Sequence, residues 1–273
     1  MDKKRTNNMN LKEYLYNKKV VFYGDSITHN WEKYDHFMNL THKDDKNYQY
    51  GLGYNHVKML NDVCHFKSVD NFAVSGGCYA NCYLQNALRQ SFRHFPYQVT
   101  HSILKLKEAE IIFVMFGTND YSEQIPFKDY RDVAKNEYQG DMSFYEGMNF
   151  GFKKIKENNP NAKIFVLNIL NRTYPYEKEP FNYSISEYNL AIKLMCEVYN
   201  MNLIDVSNLF DKENFKGGSK ELYSDDGLHP NKKGFEALTD YILNYEIKWA
   251  FKKLIFSSFL HELYLHLHIQ VKE

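Results

Sequence analysis

A serine closes the first apolar run of the chain, in Gly24-Asp25-Ser26-Ile27-Thr28. At a strand-to-helix turn its hydroxyl would stand above the sheet, where a helix N-terminus offers backbone N–H groups to a developing oxyanion. Asp and Ser are also ordinary helix caps, so capping is the competing reading. Near the other end stands Asp226-Gly227-Leu228-His229-Pro230. A histidine acting as general base must reach the nucleophile and be oriented by a carboxylate. Three residues apart in one turn, Asp226 and His229 can meet the second requirement locally, and a solvated loop is the bland alternative. Two further groups could donate to a single oxygen. They are the backbone N–H of Gly76, in Asn71-Phe72-Ala73-Val74-Ser75-Gly76-Gly77, and the amide of Asn119, in Gly117-Thr118-Asn119-Asp120. A glycine turn and an Asx-type cap explain these two equally well.

Such residues do chemistry only if the fold makes them converge. Val20–Tyr23, Phe66–Val74, Ile111–Phe116, Lys163–Leu167 and Leu203–Val206 read as strands. Helical spacing runs over Tyr54–Val63, about Tyr79–Arg93, Tyr97–Lys107, Phe144–Asn158, Ser186–Tyr199 and Lys232–Asn244. The strands are apolar runs without a period of two, and they alternate with helices. That pattern predicts an α/β protein, a three-layer α/β/α sandwich on a mostly parallel sheet buried on both faces. In such sheets sites form beyond the carboxyl ends of the strands. Ser26, Gly76 and Asn119 each follow a predicted strand, and His229 precedes the final helix.

In this order the four blocks resemble those of the SGNH, or GDSL-like, hydrolases, over about residues 18 to 244. The resemblance implies a flavodoxin-like, mostly parallel five-stranded sheet. It divides the chain into a lead-in (1–17), a hydrolase domain (18–244) and a C-terminal extension of unassigned role (245–273). Carried over position by position, it makes Ser26 the nucleophile, His229 the general base and Asp226 the group that orients the imidazole. The oxyanion donors would be the backbone N–H groups of Ser26 and Gly76 and the Asn119 side chain. Asp225 is a rival carboxylate that the family spacing disfavours. Two positions depart from the usual pattern, His29 and Ala73, where members often have glycine; neither touches a reacting atom. The implied activity is hydrolysis of a carboxylic ester through an acyl-enzyme.

The family includes esterases, lipases, thioesterases and carbohydrate deacetylases, so the fold does not fix the substrate. Pocket-shaping loops are expected at Tyr121–Tyr138 and Asn171–Tyr183. The second carries Arg172, Thr173, Tyr174, Pro175, Tyr176, Phe181, Asn182 and Tyr183, polar and aromatic instead of aliphatic. That favours a small acyl group, O-acetyl foremost, on a carbohydrate. A lysophospholipase- or thioesterase-type acyl hydrolase is the second reading, and a non-catalytic carbohydrate-binding module the third.

Composition narrows the classes further. In 273 residues, 34 Lys and Arg balance 34 Asp and Glu, so no nucleic-acid partner is expected. Aromatic residues reach 16%, with 23 Tyr and 20 Phe, which suits either a sugar-binding surface or an AT-rich genome. Cys64, Cys78, Cys82 and Cys196 make neither a disulfide framework nor a zinc knuckle, and free thiols are expected. His266 and His268 would share one face of a strand without a third ligand, so no metal is expected. Gly51-Leu52-Gly53 and Gly217-Gly218-Ser219-Lys220 complete no nucleotide-binding loop, so no cofactor is expected either. Leu263–Val271 alternates apolar and polar, as an edge strand packing on its own domain or as a homodimer contact. The basic Met1–Arg5 leads into polar Thr6–Asn10 with no signal-peptide core, and no run of 18 apolar residues follows. A cytoplasmic location without a transmembrane segment is therefore expected.

Overall fold

In the computed structural model, which describes residues 10–29, 54–80, 93–128, 142–172, 182–210 and 223–247, the apolar runs form one sheet. Its strands are β1 (Lys19–Gly24), β2 (Ser68–Asn71), β3 (Ile111–Met115), β4 (Lys163–Leu167) and β5 (Asn202–Ile204). All pair in parallel, in the order β2-β1-β3-β4-β5. This is the flavodoxin-type order, with its topological switch point between β1 and β3. The register sets Gly24 beside Met115 and Met115 beside Leu167, so these strands end level and their following loops share one rim.

Helices α1 (Leu11–Leu15), α2 (His56–Cys64) and α8 (Lys232–Leu243) cover one face. They bury Val20, Phe22, Ile111, Phe113, Met115, Phe165 and Leu167. Helices α3 (Phe95–His101), α4 (Ile103–Glu108), α6 (Phe144–Asn158) and α7 (Ile185–Val198) cover the other, over Val21, Tyr23, Ile112, Val114, Ile164 and Val166. Successive strand residues thus bury on opposite faces, which is why the sequence shows unbroken apolar runs. Ser143 with Glu146 and Ser184 with Glu187 form capping boxes that fix where α6 and α7 begin.

Much of the aromatic excess is core. Among the described residues, the eleven largest fully buried side chains are all Phe or Tyr. Phe22 and Phe165 stack on Phe113 from its two sides at 5.1 and 5.4 Å, each pair adding about 0.5–1.5 kcal/mol beyond the area buried. Cys64 and Cys196 are buried free thiols. Leu11 and Leu15 of α1 are fully buried in the same core, and Leu11 N–H donates to the Tyr245 carbonyl at 3.1 Å. No helix among the described residues is long and apolar enough to cross a membrane.

Four elements differ from the sequence reading, the first being α1, which stands where the sequence predicts no helix. The helix predicted over Tyr97–Lys107 starts at Phe95, with Pro96 in its first turn, and breaks at Ser102 into α3 and α4. The Ser102 hydroxyl bonds the Gln98 carbonyl at 2.7 Å and the buried Tyr23 hydroxyl at 2.6 Å, drawing this turn onto β1. β2 is shorter than predicted, and Gly117 leads directly into a short helix, α5 (Thr118–Ser122), that was not foreseen. Most of the helix expected over Tyr79–Arg93, parts of both pocket loops, both glycine segments and the Leu263–Val271 alternation with its two histidines lie outside the described residues.

Candidate active site

Ser26 sits in a tight turn directly beyond β1. Thr28 and His29 donate backbone N–H groups to the Asp25 carbonyl at 3.2 and 2.9 Å, and the Asp25 carboxyl accepts the Ile27 N–H at 3.0 Å. Residues 26–28 form a turn, and a helix start after Ser26 is not among the described residues. A side chain at position 24 would meet Thr28 Cβ and Oγ1 at 2.6 Å, which explains the glycine before the Asp-Ser pair. The turn is anchored from outside as well. The Thr28 carbonyl accepts Asn71 Nδ2 at 2.8 Å and Asn55 Nδ2 at 3.2 Å, and the His29 carbonyl accepts Asn55 Nδ2 at 3.0 Å. Position 29, the first departure from the usual pattern, carries a buried imidazole.

His229 reaches this serine from the loop before α8. The Ser26 hydroxyl lies 2.8 Å from His229 Nε2, and His229 Nδ1 lies 2.7 Å from Asp226 Oδ2. A carboxylate can only accept, so the proton of the neutral ring is on Nδ1; Nε2 is then the acceptor and Ser26 Oγ–H the donor. Asp226 Oδ1 also accepts the backbone N–H groups of Leu228 and His229 at 2.8 and 2.7 Å, so one carboxylate shapes the loop and aims the ring. Burial alone would raise its pKa, but the hydrogen bonds and charge of His229, with the two backbone donors, hold it down at about 2. Ser224 Oγ donates to the His229 carbonyl at 2.7 Å and accepts the Gly227 N–H at 3.0 Å. Asp225, the rival carboxylate, is exposed and faces Asn231 at 3.4 Å.

Because β1 lies between β2 and β3, the other two blocks flank Ser26 on opposite sides. Gly76 takes a positive φ of 73°, and its Cα region lies against the Arg93 guanidinium, which a Cβ would approach to 2.9 Å. Asn119, on α5, donates one amide proton to the Gly77 carbonyl at 2.7 Å, leaving the second available. Arg172 Nη1 braces α5 by donating to Thr118 O, Thr118 Oγ1 and Ser122 Oγ, each at 2.8 Å. Asn55 and Arg93 were not singled out in the sequence. The only signal for Asn55 was its place as the N-cap of α2. Among the described residues no group of three or more His, Cys, Asp or Glu is arranged to hold a metal ion.

Two buried carboxyls lie beneath the rim. Burial pushes Asp25 up to about 7, the Ile27 N–H opposing, the Asp120 charge adding and Arg172 opposing. Burial likewise pushes Asp120 up to about 7 against the N–H groups of Ala80 and Tyr79. Such acids hold a proton in the folded state above the ordinary 3.8, so their contribution to stability is full below about 4 and lost as pH rises through 7. Burial pushes His56 down to about 3, and burial with the Arg93 charge pushes His94 down to about 4; their contribution is present above 6.5 and lost below it. The two pairs oppose each other between about 4 and 6.5, and above that only the carboxyls change. Tm is therefore expected to stay level from about pH 5 to 6.5 and to fall by on the order of 5 °C by pH 8. Asp25→Asn, whose amide oxygen can still accept the Ile27 N–H, should roughly halve the fall. Thermal unfolding at constant ionic strength measures this, and an undiminished fall in the variant would rule out Asp25 as a source.

A serine, a histidine and an aspartate hydrogen-bonded in line at the carboxyl ends of a parallel sheet is the arrangement of a serine hydrolase. Within that class the chain belongs to the GDSL-like lipase/acylhydrolase family, whose model matches residues 22–237, and it is an ester-hydrolysing enzyme. No curated protein matches it. Among solved structures, a protein from Lactobacillus plantarum is similar at 17% identity and a TM-score of 0.56, over 83% of this chain and 95% of that one. A GDSL-like lipase from Bacteroides ovatus is similar at 19% identity and 0.52, over 82% and 96%. A catalytic mutant of an acetylxylan esterase from Geobacillus stearothermophilus is similar at 17% and 0.52, over 87% and 98%. At these identities the likeness is one of fold.

Proposed function

We propose that the enzyme removes small acyl groups, O-acetyl foremost, from a carbohydrate through an acyl-enzyme on Ser26. The observation that carries the mechanism is the unbroken relay from Ser26 Oγ through His229 to Asp226, at 2.8 and 2.7 Å. Ser26 Oγ attacks the ester carbonyl carbon as its proton passes to His229 Nε2. The negative oxygen is received by the N–H groups of Ser26 and Gly76 and the second amide proton of Asn119. The ester C–O bond breaks, and the leaving alcohol takes the proton from the imidazolium. Water then attacks the acyl carbon, giving a proton to Nε2; the acid departs and the proton returns to Oγ. Asp226, ionised down to about pH 2, stabilises the imidazolium at both steps.

The acetyl preference is supported by the polar character of Arg172–Tyr183 and by the acetylxylan esterase among the similar folds. Not every aromatic residue of the pocket loops serves a sugar. Tyr121, Phe127 and Tyr183 pack around Tyr188, whose hydroxyl donates to the Ile125 carbonyl at 2.6 Å. A series of p-nitrophenyl esters from acetate to dodecanoate tests the acyl group. We expect kcat/KM to be highest for acetate and to fall at least tenfold by octanoate. An optimum at octanoate or longer would mark a lipid-type acyl hydrolase, and hydrolysis of none would leave a binding module. Release of acetate from acetylated against deacetylated oligosaccharide tests the alcohol side.

A further inference from the structure

Asp120 has no place in the proton relay, yet it is fully buried and directly follows Asn119. Its Oδ2 accepts the Tyr79 N–H at 3.0 Å and its Oδ1 the Ala80 N–H at 2.9 Å. With the Asn119 amide on the Gly77 carbonyl at 2.7 Å, two consecutive residues of α5 hold three points of segment 77–80. The near end of the same loop is pinned by the Val74 N–H on the Gly24 carbonyl at 3.0 Å, two residues before Ser26. Gly76 lies between these two attachments. A buried acid is a poor way to stabilise a loop, because the cost of burying it offsets most of what its hydrogen bonds gain. What it supplies is direction: two acceptor oxygens that fix two successive N–H groups.

We propose that Asp120 is a positioning residue for the oxyanion hole, locking the Gly76 loop to α5 so that the Gly76 N–H and the Asn119 amide converge on one oxygen. The proposal rests on the acyl-enzyme reading above and assigns a second layer to the same site. In Asp120→Asn one of the two acceptors becomes an NH₂ group facing a backbone N–H. The loop keeps its volume and loses its alignment.

The test is a double-mutant cycle on p-nitrophenyl acetate with wild type, Asn119→Ala, Asp120→Asn and the double variant. Loss of an oxyanion donor lowers turnover about 10²–10³-fold, and misplacement by about 1 Å can cost about 10²-fold. Asp120→Asn should therefore lower kcat about 10²-fold with KM within about threefold of wild type. The double variant should lose at least tenfold less than the product of the two single losses, because both substitutions act on the same donors. Asp120→Asn turning over within threefold of wild type, or losses that simply multiply, would overturn the role. Ser26→Ala in the same assay separates the two ideas. Full activity there overturns the nucleophile assignment and this proposal with it, whereas an inactive Ser26→Ala beside an undiminished Asp120→Asn overturns this proposal alone. Melting curves check folding, and Asp120→Ser, which keeps one acceptor, carries the same cycle if Asp120→Asn does not fold.

Discussion

Ser26→Ala is expected to abolish ester hydrolysis, lowering turnover on the order of 10⁶-fold, while the melting temperature stays within about 2 °C of wild type. The serine hydroxyl lies 2.8 Å from Nε2 of His229, the proposed base. The bonds that hold its turn run through the backbone of residues 25–29 and the side chains of Asp25, Asn55 and Asn71, all of which alanine leaves in place. The backbone N–H of residue 26 also survives, so the oxyanion donors remain and only the nucleophile is lost. The measurement is p-nitrophenyl acetate turnover above the buffer rate, with circular dichroism melts alongside. Activity within tenfold of wild type would mean that another group attacks the ester, and the mechanism would have to be rebuilt.

The sheet was legible because its strands are buried on both faces: Val20–Tyr23 and Ile111–Met115 leave no room for an exposed polar position. Elements that rest on tertiary contacts were harder to read. α1 has five residues, too few for a helical period, and exists because Leu11 and Leu15 reach the core. The break at Ser102 left the apolar spacing intact, and its cause is a hydrogen bond to Tyr23 on another element, 79 residues away in sequence. α5 was hidden because Gly117-Thr118-Asn119-Asp120 reads locally as a turn.

The candidate site divides along the same line. Ser26, Asp226 and His229 carry chemistry in their residue types, so spacing and order were enough to single them out. Asn55 and Asp120 act through burial and contact. An asparagine at a helix start and an aspartate after a candidate donor are ordinary in sequence. They become informative only once the fold places Asn55 on the Ser26 turn and Asp120 on the loop beyond Gly76.

His229→Ala should be as damaging as loss of the nucleophile, about 10⁶-fold in kcat, whereas Asp226→Asn should lower kcat about 10⁴-fold. Without the imidazole nothing takes the Ser26 proton or returns one to the leaving alcohol. The Asp226 case turns on the tautomer. Asparagine can keep its oxygen at the Oδ1 position, where it still accepts the N–H groups of Leu228 and His229 and preserves the loop. Its NH₂ group then faces His229 Nδ1 in place of Oδ2, and a donor there makes Nδ1 the acceptor and puts the ring proton on Nε2. Nε2 would then present an N–H to Ser26, the wrong polarity for a base, and the imidazolium would lose its counter-charge. The defect lies in the chemical step, so kcat should fall with KM within about threefold. Asp226→Ala removes the loop acceptor too and should lower Tm as well as kcat. Single-turnover and steady-state assays on the three variants settle the ranking. Equal losses in His229→Ala and Asp226→Asn would mean that the imidazole cannot act without its carboxylate, and an Asp226→Asn enzyme within tenfold of wild type would mean that the loop orients the ring unaided.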